Sequence, residues 1–181
     1  KLYTIIVKKI IKNIILHEVK KNDARYILKL RTNKKFSKYI KKTDNDILKQ
    51  KIWLNNYFKR RRLKIEYYFI FKTIFNFKLN KIGIGRIIKI NDKSFHIGGF
   101  ILENKSKSWH AIAICLALYE FAFFMLKFKK CLLWVNTKNK RIINFHKLFG
   151  AKIYKKKAKL VYLSLTFKDY LLIKKKFSYF Y

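Results

Sequence analysis

A mixed α/β domain, with elements in the order β-α-α-β-β-β-α-β-α-β-β, is the fold class this 181-residue sequence predicts. Three observations carry the prediction. Apolar residues fall into three β-rich segments, Tyr67–Phe77, Lys81–Ile90 and Ser94–Glu103, parted by Leu79-Asn80 and Asn91-Asp92-Lys93. Such short polar breaks read as hairpin turns, giving an antiparallel meander. A helix from about Trp109 to Lys127 follows, apolar on most faces as a buried helix is. Residues Cys131–Tyr154 then run as a strand, an Asn-x-Arg turn and a short amphipathic helix that stops at Gly150.

The remaining elements are justified in chain order. Apolar and β-branched bursts between Tyr3 and Val19 predict a first strand around Asn13–Val19. Asn22 or Asp23 can cap a helix with Ala24, Ile27 and Leu28 on its apolar face. Thr43 with Asp46 three residues on resembles a capping box, and Ile47, Gln50, Leu54, Tyr57 and Phe58 recur at helical spacing. The basic run Lys59–Lys64 breaks that pattern. Strand Cys131–Val135, helix Lys140–Leu148 and strands near Lys152–Tyr154 and Leu160–Phe167 complete the order. Residues 171–181 read as a basic-aromatic tail, and no linker or repeat divides the chain, so a single domain over residues 1–181 is expected.

A hydrophobic content of 51%, with 18% aromatics, excludes intrinsic disorder despite a net charge of +36. Disorder requires low hydrophobicity together with high charge. Proline is absent, Gly numbers 5, and Lys is spread along the whole chain, a composition expected of a very AT-rich genome. Whatever its origin, the positive field attracts polyanions, nucleotide cofactors included. Cys115 and Cys131 sit in apolar runs and are expected to be buried reduced thiols, with no metal-ligand spacing. Ala111–Leu126 is shorter than the ~20 residues a membrane span requires and contains Glu120, so a buried helix is expected there. No signal peptide of the usual design is visible, and a cytoplasmic protein is the expectation.

The segment with Asn139, Phe145, His146, Phe149, Gly150 and Ala151 resembles the C-terminal signature of the GNAT superfamily of N-acetyltransferases, a strand, an Asn, then Phe-Tyr-x-x-x-Gly-Phe. The N-terminal half resembles a branch acting on amino-sugar nucleotides. Asn22-Asp23-Ala24, Ile27-Leu28 and Leu30-Arg31 look like its opening motif. Thr43-Asp44-Asn45-Asp46, Gln50 and Trp53-Leu54 resemble its second helix, and Tyr67-Tyr68-Phe69-Ile70 its first meander strand. Phe145–Lys152 and Thr166–Tyr170 are also in register, so the resemblance covers about Ile14 to Tyr170. It implies a mostly antiparallel sheet splayed between the fourth and fifth strands, acetyl-CoA as cofactor, and direct transfer of the acetyl group to the amine of an amino sugar.

One departure concerns the pyrophosphate loop, usually Gln/Arg-x-x-Gly-x-Gly/Ala and here Ser106-Lys107-Ser108-Trp109-His110-Ala111. The arginine and the central glycine are gone, and Trp109 is expected to crowd the approach. Backbone N–H groups before the long helix still offer an anion site at a positive dipole end, with Lys105 and Lys107 adding charge. An ordinary capped helix start explains the same residues.

Acetyl transfer requires loss of an amine proton, polarisation of the carbonyl and protonation of the departing thiolate. The resemblance places His146 where the family commonly has a Tyr acid. Imidazole titrates near ~6.5, so part of it is protonated at neutral pH; a half-exposed helix residue without a role is the alternative. Glu103, at the end of the strand expected to line the cleft, is a candidate base or a partner of a nearby Lys. His96 is a second candidate. Gly98-Gly99 fit a bulge or a close ligand approach. Pantetheine is implied near Ile101 and Leu102. Asn139, Arg141 and Phe145 complete the cofactor side, although Asn139 serves equally as a helix cap. Asn45, Asp46, Tyr67, Tyr68 and His96 are the acceptor-side candidates, and Trp53 and Trp134 are read as core.

Two rival functions follow from the same residues. Charge and abundant aromatics fit an RNA-binding or ribosome-associated protein, against which stand the absence of an RNA module and the motif match. An acetyltransferase of protein termini, peptides or polyamines is the other; a chain of +36 repels cationic polyamines and attracts a diphosphate. Monomer and homodimer both remain open.

Overall fold

In the computed structural model, which describes residue 11, residues 13–37 and residues 39–181, thirteen helices and strands follow the predicted order with two additions. They are β1 (Ile14–Glu18), α1 (Ala24–Thr32), a short α2 (Lys34–Ser37), α3 (Ile47–Arg62), β2 (Glu66–Phe75), β3 (Lys78–Asn91) and β4 (Ser94–Leu102). After them come α4 (Ser108–Glu120), β5 (Lys130–Asn136), α5 (Lys140–Leu148), β6 (Lys152–Lys157), β7 (Leu160–Thr166) and α6 (Phe167–Lys176). The apolar burst between Tyr3 and Ile10 lies outside the described residues.

One seven-stranded sheet runs β1-β2-β3-β4-β5-β7-β6. Every neighbouring pair is antiparallel except β4 and β5, which are parallel and pair only at Ser94↔Lys130 and Phe95↔Cys131. The implied splay is there. Its first half is packed on both faces, because β2 contributes Tyr67, Phe69 and Phe71 to one apolar cluster and Tyr68 and Ile70 to another. Period-2 alternation assigns these neighbours to opposite layers. The second cluster joins α1 and α3 through Ala24, Ile27, Leu30, Leu54 and Tyr57. The first is built around α4, whose residues from Ala113 to Glu120 are all buried. That helix, with the turn after it, is long and apolar enough to cross a membrane, but most of it is covered by the protein itself. Both cysteines are buried and unpaired, as expected.

Several boundaries correct the sequence reading. Helix α3 is capped by Asp46, whose carboxylate accepts from Leu48 N and Lys49 N at 2.7 and 3.1 Å. Thr43 instead accepts a 2.8 Å bond from Arg31 Nε, so the 43–46 spacing is no capping box. The basic run does not end α3, because Arg60 bonds Glu66 at 2.7 Å and Arg61 pairs with Glu18, which draws the last turn onto the sheet. The first hairpin turns at Asn76-Phe77, not Leu79-Asn80. Both have positive φ (48° and 58°) and Phe75 faces Lys78, a two-residue turn of the primed kind. The long helix ends at Glu120 and continues as a wider π turn over Phe121–Met125.

The largest correction is at the C-terminus. The expected tail is the ordered helix α6, started by a capping box in which Thr166 and Asp169 satisfy each other's amides at 3.1 Å. Tyr170, Phe177 and Phe180 are buried against the main cluster. The buried Glu120 of α4 accepts from Tyr170 Oη at 2.5 Å, Tyr181 Oη at 3.2 Å and Lys174 Nζ at 2.8 Å, tying the end of the chain down.

Candidate active site

Strand β4 builds the site through a local irregularity. Ile84 faces Ile101 and Arg86 faces Gly98, so three steps along β4 match two along β3. The extra residue is a bulge, with Gly99 at φ +59°. Before the bulge Phe95 and Ile97 face the main cluster; after it Phe100 and Leu102 do, and Ile101 joins the other. Gly98-Gly99 are thus the bulge their sequence anticipated.

On the open side of β4, His96 Nδ1–H donates to Leu132 O across the splay, 2.9 Å away. Trp134 of β5 stacks on the His96 ring at 3.6 Å between centroids and an interplanar angle of 5°. Trp134 is therefore no core residue; it is 40% exposed. The carbonyl of His146, near the end of α5, accepts from the amides of Phe149 and Ala151, and Gly150 at φ +80° closes the turn. Its ring is near enough to His96 to feel that imidazole's charge, and Nδ1 is buried without a partner among the described residues. Burial, and secondarily His96, lowers the His146 pKa to about 4. Burial also lowers His96 to about 4, opposed by the Leu132 carbonyl and helped by Arg86. Partial protonation of His146 at neutral pH is thus corrected: a charged imidazole loses more solvation here than its surroundings return.

A second region lies on the other side of the bulge. A cavity of ≈ 430 Å³ is lined by Arg31, Lys41, Lys42, Thr43, Asp44, Lys49, Gln50, Trp53, Tyr68 and Arg86. Arg31 braces its rim, bonding Thr43 and, at 3.2 Å, the carbonyl of Lys41. Arg86 joins the two regions, since it borders the cavity, pairs across from Gly98 and acts on His96.

The predicted residues divide between these regions and the scaffold. Tyr68 lines the cavity, whereas Tyr67, one residue earlier, faces the main cluster beside Phe121. Asp46 is committed to capping α3, and Asn45 is exposed next to the cavity wall rather than in it. His96 belongs to the splay, not to this cavity. Glu103 pairs with Lys105 at 3.2 Å and faces Tyr26 of α1, whose hydroxyl pKa rises through burial and that carboxylate. It is not brought to the imidazoles.

On the cofactor side, Ile101 and Leu102 pair with β3 on one edge while β5 diverges from the other, leaving backbone groups for a ligand. Ser106 caps the loop through a 3.0 Å bond to Ile82 O. Lys107 N donates to His110 Nδ1 at 2.9 Å, so His110 closes the start of α4 and is not a free ligand group. Trp109 packs on His110 and, half-buried, against the main cluster. The amides of Ser108 and Trp109 remain those of a helix start, able to receive phosphate, while the His110 amide is spent on the Lys107 carbonyl at 3.0 Å. Asn139 caps α5 through Ile142 N at 3.4 Å, Arg141 is exposed, and Phe145 packs on Phe149. The open edge of β4, the helix start and the unpartnered His146 nitrogen together fit an acyl-CoA.

Arg31, Gln50, Trp53 and Arg86 are cavity residues absent from the sequence-based site. Three of them stand in the motifs quoted above, where Gln50 reads as a helix position and Trp53 as core; Arg86 has no signal.

No family model and no curated protein sequence matches the chain, but solved structures do. An apo nucleotide-linked sugar GNAT, FdhC, aligns with a TM-score of 0.84 and 30% identity over 94% of this chain and 96% of that one. Spermidine N-acetyltransferase of Vibrio cholerae in complex with CoA and spermine aligns with a TM-score of 0.72 and 18% identity, over 88% and 98%. A point mutant of that enzyme gives 0.71 and 17%, over 88% and 96%. The last two share the fold.

Proposed function

The chain belongs to the GNAT superfamily and is an acetyl-CoA-dependent N-acetyltransferase, and from that premise we propose that its acceptor is an amino sugar linked to a nucleotide. The observation that carries this reading is the charge of the acceptor-side cavity. Its wall holds Arg31, Lys41, Lys42, Lys49 and Arg86 against one carboxylate, Asp44, which is already paired with Lys49 at 2.7 Å. A polyamine would meet unopposed cations there, whereas a nucleotide-linked sugar brings anionic phosphates to the same wall. The FdhC likeness supports the same class. RNA binding has no module to support it, and the positive field alone accounts for non-specific attraction of nucleic acid.

Acetyl-CoA supplies an acetyl group activated on sulfur. The C–N bond forms as the C–S bond breaks, and one proton passes from amine to sulfur. His146 carries that proton in the proposed mechanism. Neutral at pH 7, it accepts the proton shed by the attacking amine and returns it to the thiolate as general acid. Glu103 has no part in this step, being paired elsewhere. His96 and Trp134 hold the splay open beside His146.

The test is thiol release from acetyl-CoA with nucleoside-diphosphate amino sugars, the free amino sugars, spermidine and a peptide amine as acceptors. Turnover confined to the nucleotide-linked sugars is expected. Preference for spermidine or the peptide would overturn the acceptor class. His146→Ala is expected to lower kcat about 10²–10⁴-fold, the usual range for a proton-transfer group, with acetyl-CoA affinity retained; unchanged kcat removes the assignment.

A further inference from the structure

Six buried side-chain atoms have no hydrogen-bond partner among the described residues, and three of them, Gln50 Nε2, Tyr68 Oη and Arg86 Nε, belong to residues lining the basic cavity. Gln50 and Tyr68 are only 5% and 1% exposed, so water does not compensate them freely. Buried donors are costly when left unmade, and three carried by residues of one cavity wall point to a ligand that supplies the acceptors. Resting on the acceptor reading above, we propose that Gln50, Tyr68 and Arg86 form a clamp for the diphosphate of the nucleotide-linked acceptor.

Arg86 is built for this task. Its Nη1 donates to Glu66 at 2.8 Å, and the same buried carboxylate receives Arg60 Nε at 2.7 Å. Glu66 thus fixes the guanidinium while Nε stays unspent. The Trp53 ring lies under both guanidiniums, 5.3 Å from Arg86 and 5.1 Å from Arg60, and limits their swing. Tyr68 comes from β2, next to β3 in the sheet. Burial, opposed by the neighbouring Arg31 and Arg86, pushes its hydroxyl up to about 12, so it remains a donor. Gly99 keeps the strand beside Arg31 and Arg86 free of a side chain. Three fixed donors with Arg31 and the lysines suit the several oxygens of a diphosphate better than a single carboxylate, and ≈ 430 Å³ exceeds what a carboxylate fills.

Nucleotide acceptor and CoA both carry a diphosphate, and the geometry favours the acceptor. The cavity lies between the α1–α3 connection and β3, whereas the phosphate-receptive start of α4 lies beyond the far end of β4.

The experiment is calorimetric titration of the full chain with inorganic pyrophosphate at about 0.2 M salt, where general charge attraction is weakened. Tyr68→Phe and Gln50→Met each delete one donor without changing the net charge. Each is expected to weaken pyrophosphate binding roughly tenfold, the size of one lost bond to a charged group. The deleted O–H donates to nothing among the described residues, although its oxygen faces the Arg31 guanidinium, so Tyr68→Phe is expected to melt close to the parent without ligand. It should nevertheless lose most of the upward shift that pyrophosphate gives the parent. Absence of binding, or equal binding by both variants, overturns the clamp. Pyrophosphate should compete with the acceptor and not with acetyl-CoA; competition with acetyl-CoA alone reassigns the anion and overturns it as well. Clamp-dependent binding without acetylation of any nucleotide-linked amino sugar would sink the acceptor reading and leave the clamp. Undiminished acetylation of such a sugar by both variants would do the reverse.

Discussion

His146 and His96 are held neutral by the same enclosure, which makes them a stability element as well as a candidate site. Both titrate at about 4 in the folded chain against the ordinary 6.5. Between those values the unfolded chain binds protons that the folded chain refuses. The stability is therefore fully present above about pH 6.5 and is lost as the pH falls from 6.5 towards 4. Thermal melts across that window should show a falling Tm, and His146→Asn should flatten the slope; an unchanged slope would place the loss elsewhere. The position of His146 was legible, because the strand, Asn139 and Gly150 frame it in the sequence. Its environment was not, since the stack of His96 on Trp134 joins residues 96 and 134 across separate strands. Tyr67 and Tyr68 teach the same lesson. Alternation allows only one of the pair to reach a given face, and pairing with β3 chooses Tyr68 for the cavity.

At the level of elements, the strands and helices that bury an apolar face were legible, and the misreadings came where polar atoms decide. Asn80 and Asn76 are equally good turn residues in isolation. Register chose Asn76-Phe77: the hairpin closes at Phe75↔Lys78 and sets Gly83 and Ile84 of β3 opposite Phe71 and Ile70 of β2. The basic end of α3 looked like a helix breaker only because its partners lie outside the helix, Glu18 on β1 and Glu66 at the start of β2. Helix α6 did carry its signature, Thr166-x-x-Asp169, masked by the Lys-rich residues after it. Thr166→Val removes the hydroxyl that accepts Asp169 N while keeping the shape. It should cost about 1 kcal/mol in urea unfolding, the usual loss for a helix cap. No change would mean that the Glu120 anchor alone holds α6. Acid should act on the same junction. Hydrogen bonds from Thr166, then Lys152, depress the Asp169 pKa, so its contribution is present above the ordinary carboxylate value and fades as the pH drops through the depressed one.

Seen as a whole, the molecule has nine Asp and Glu for 45 Lys and Arg, and each of the nine is occupied. Asp46 caps a helix. The other eight lie in ion pairs with Lys or Arg. Uncompensated positive charge remains almost everywhere else, and self-repulsion of this kind weakens a compact state. Raising salt from about 0.1 M to about 1 M, which shortens the screening length from about 10 Å to about 3 Å, should therefore raise the Tm. A fall would mean that the nine anchors outweigh the repulsion. Net charge could be read from composition alone, whereas the pairing of every acid required the fold. The bulge in β4 has a consequence for how this chain can vary. At Gly99 the strand changes its reading frame in space. Strict alternation through residues 97–102 would turn Phe100 and Leu102 away from the main cluster and Ile101 towards it. The extra residue at Gly99 prevents this, and removing that residue would erase the bulge while leaving all three on their present faces. Substitutions along β4 are local events, whereas a one-residue insertion or deletion elsewhere in it acts like a frameshift, so the bulge is the place in this strand where chain length can change without inverting a face.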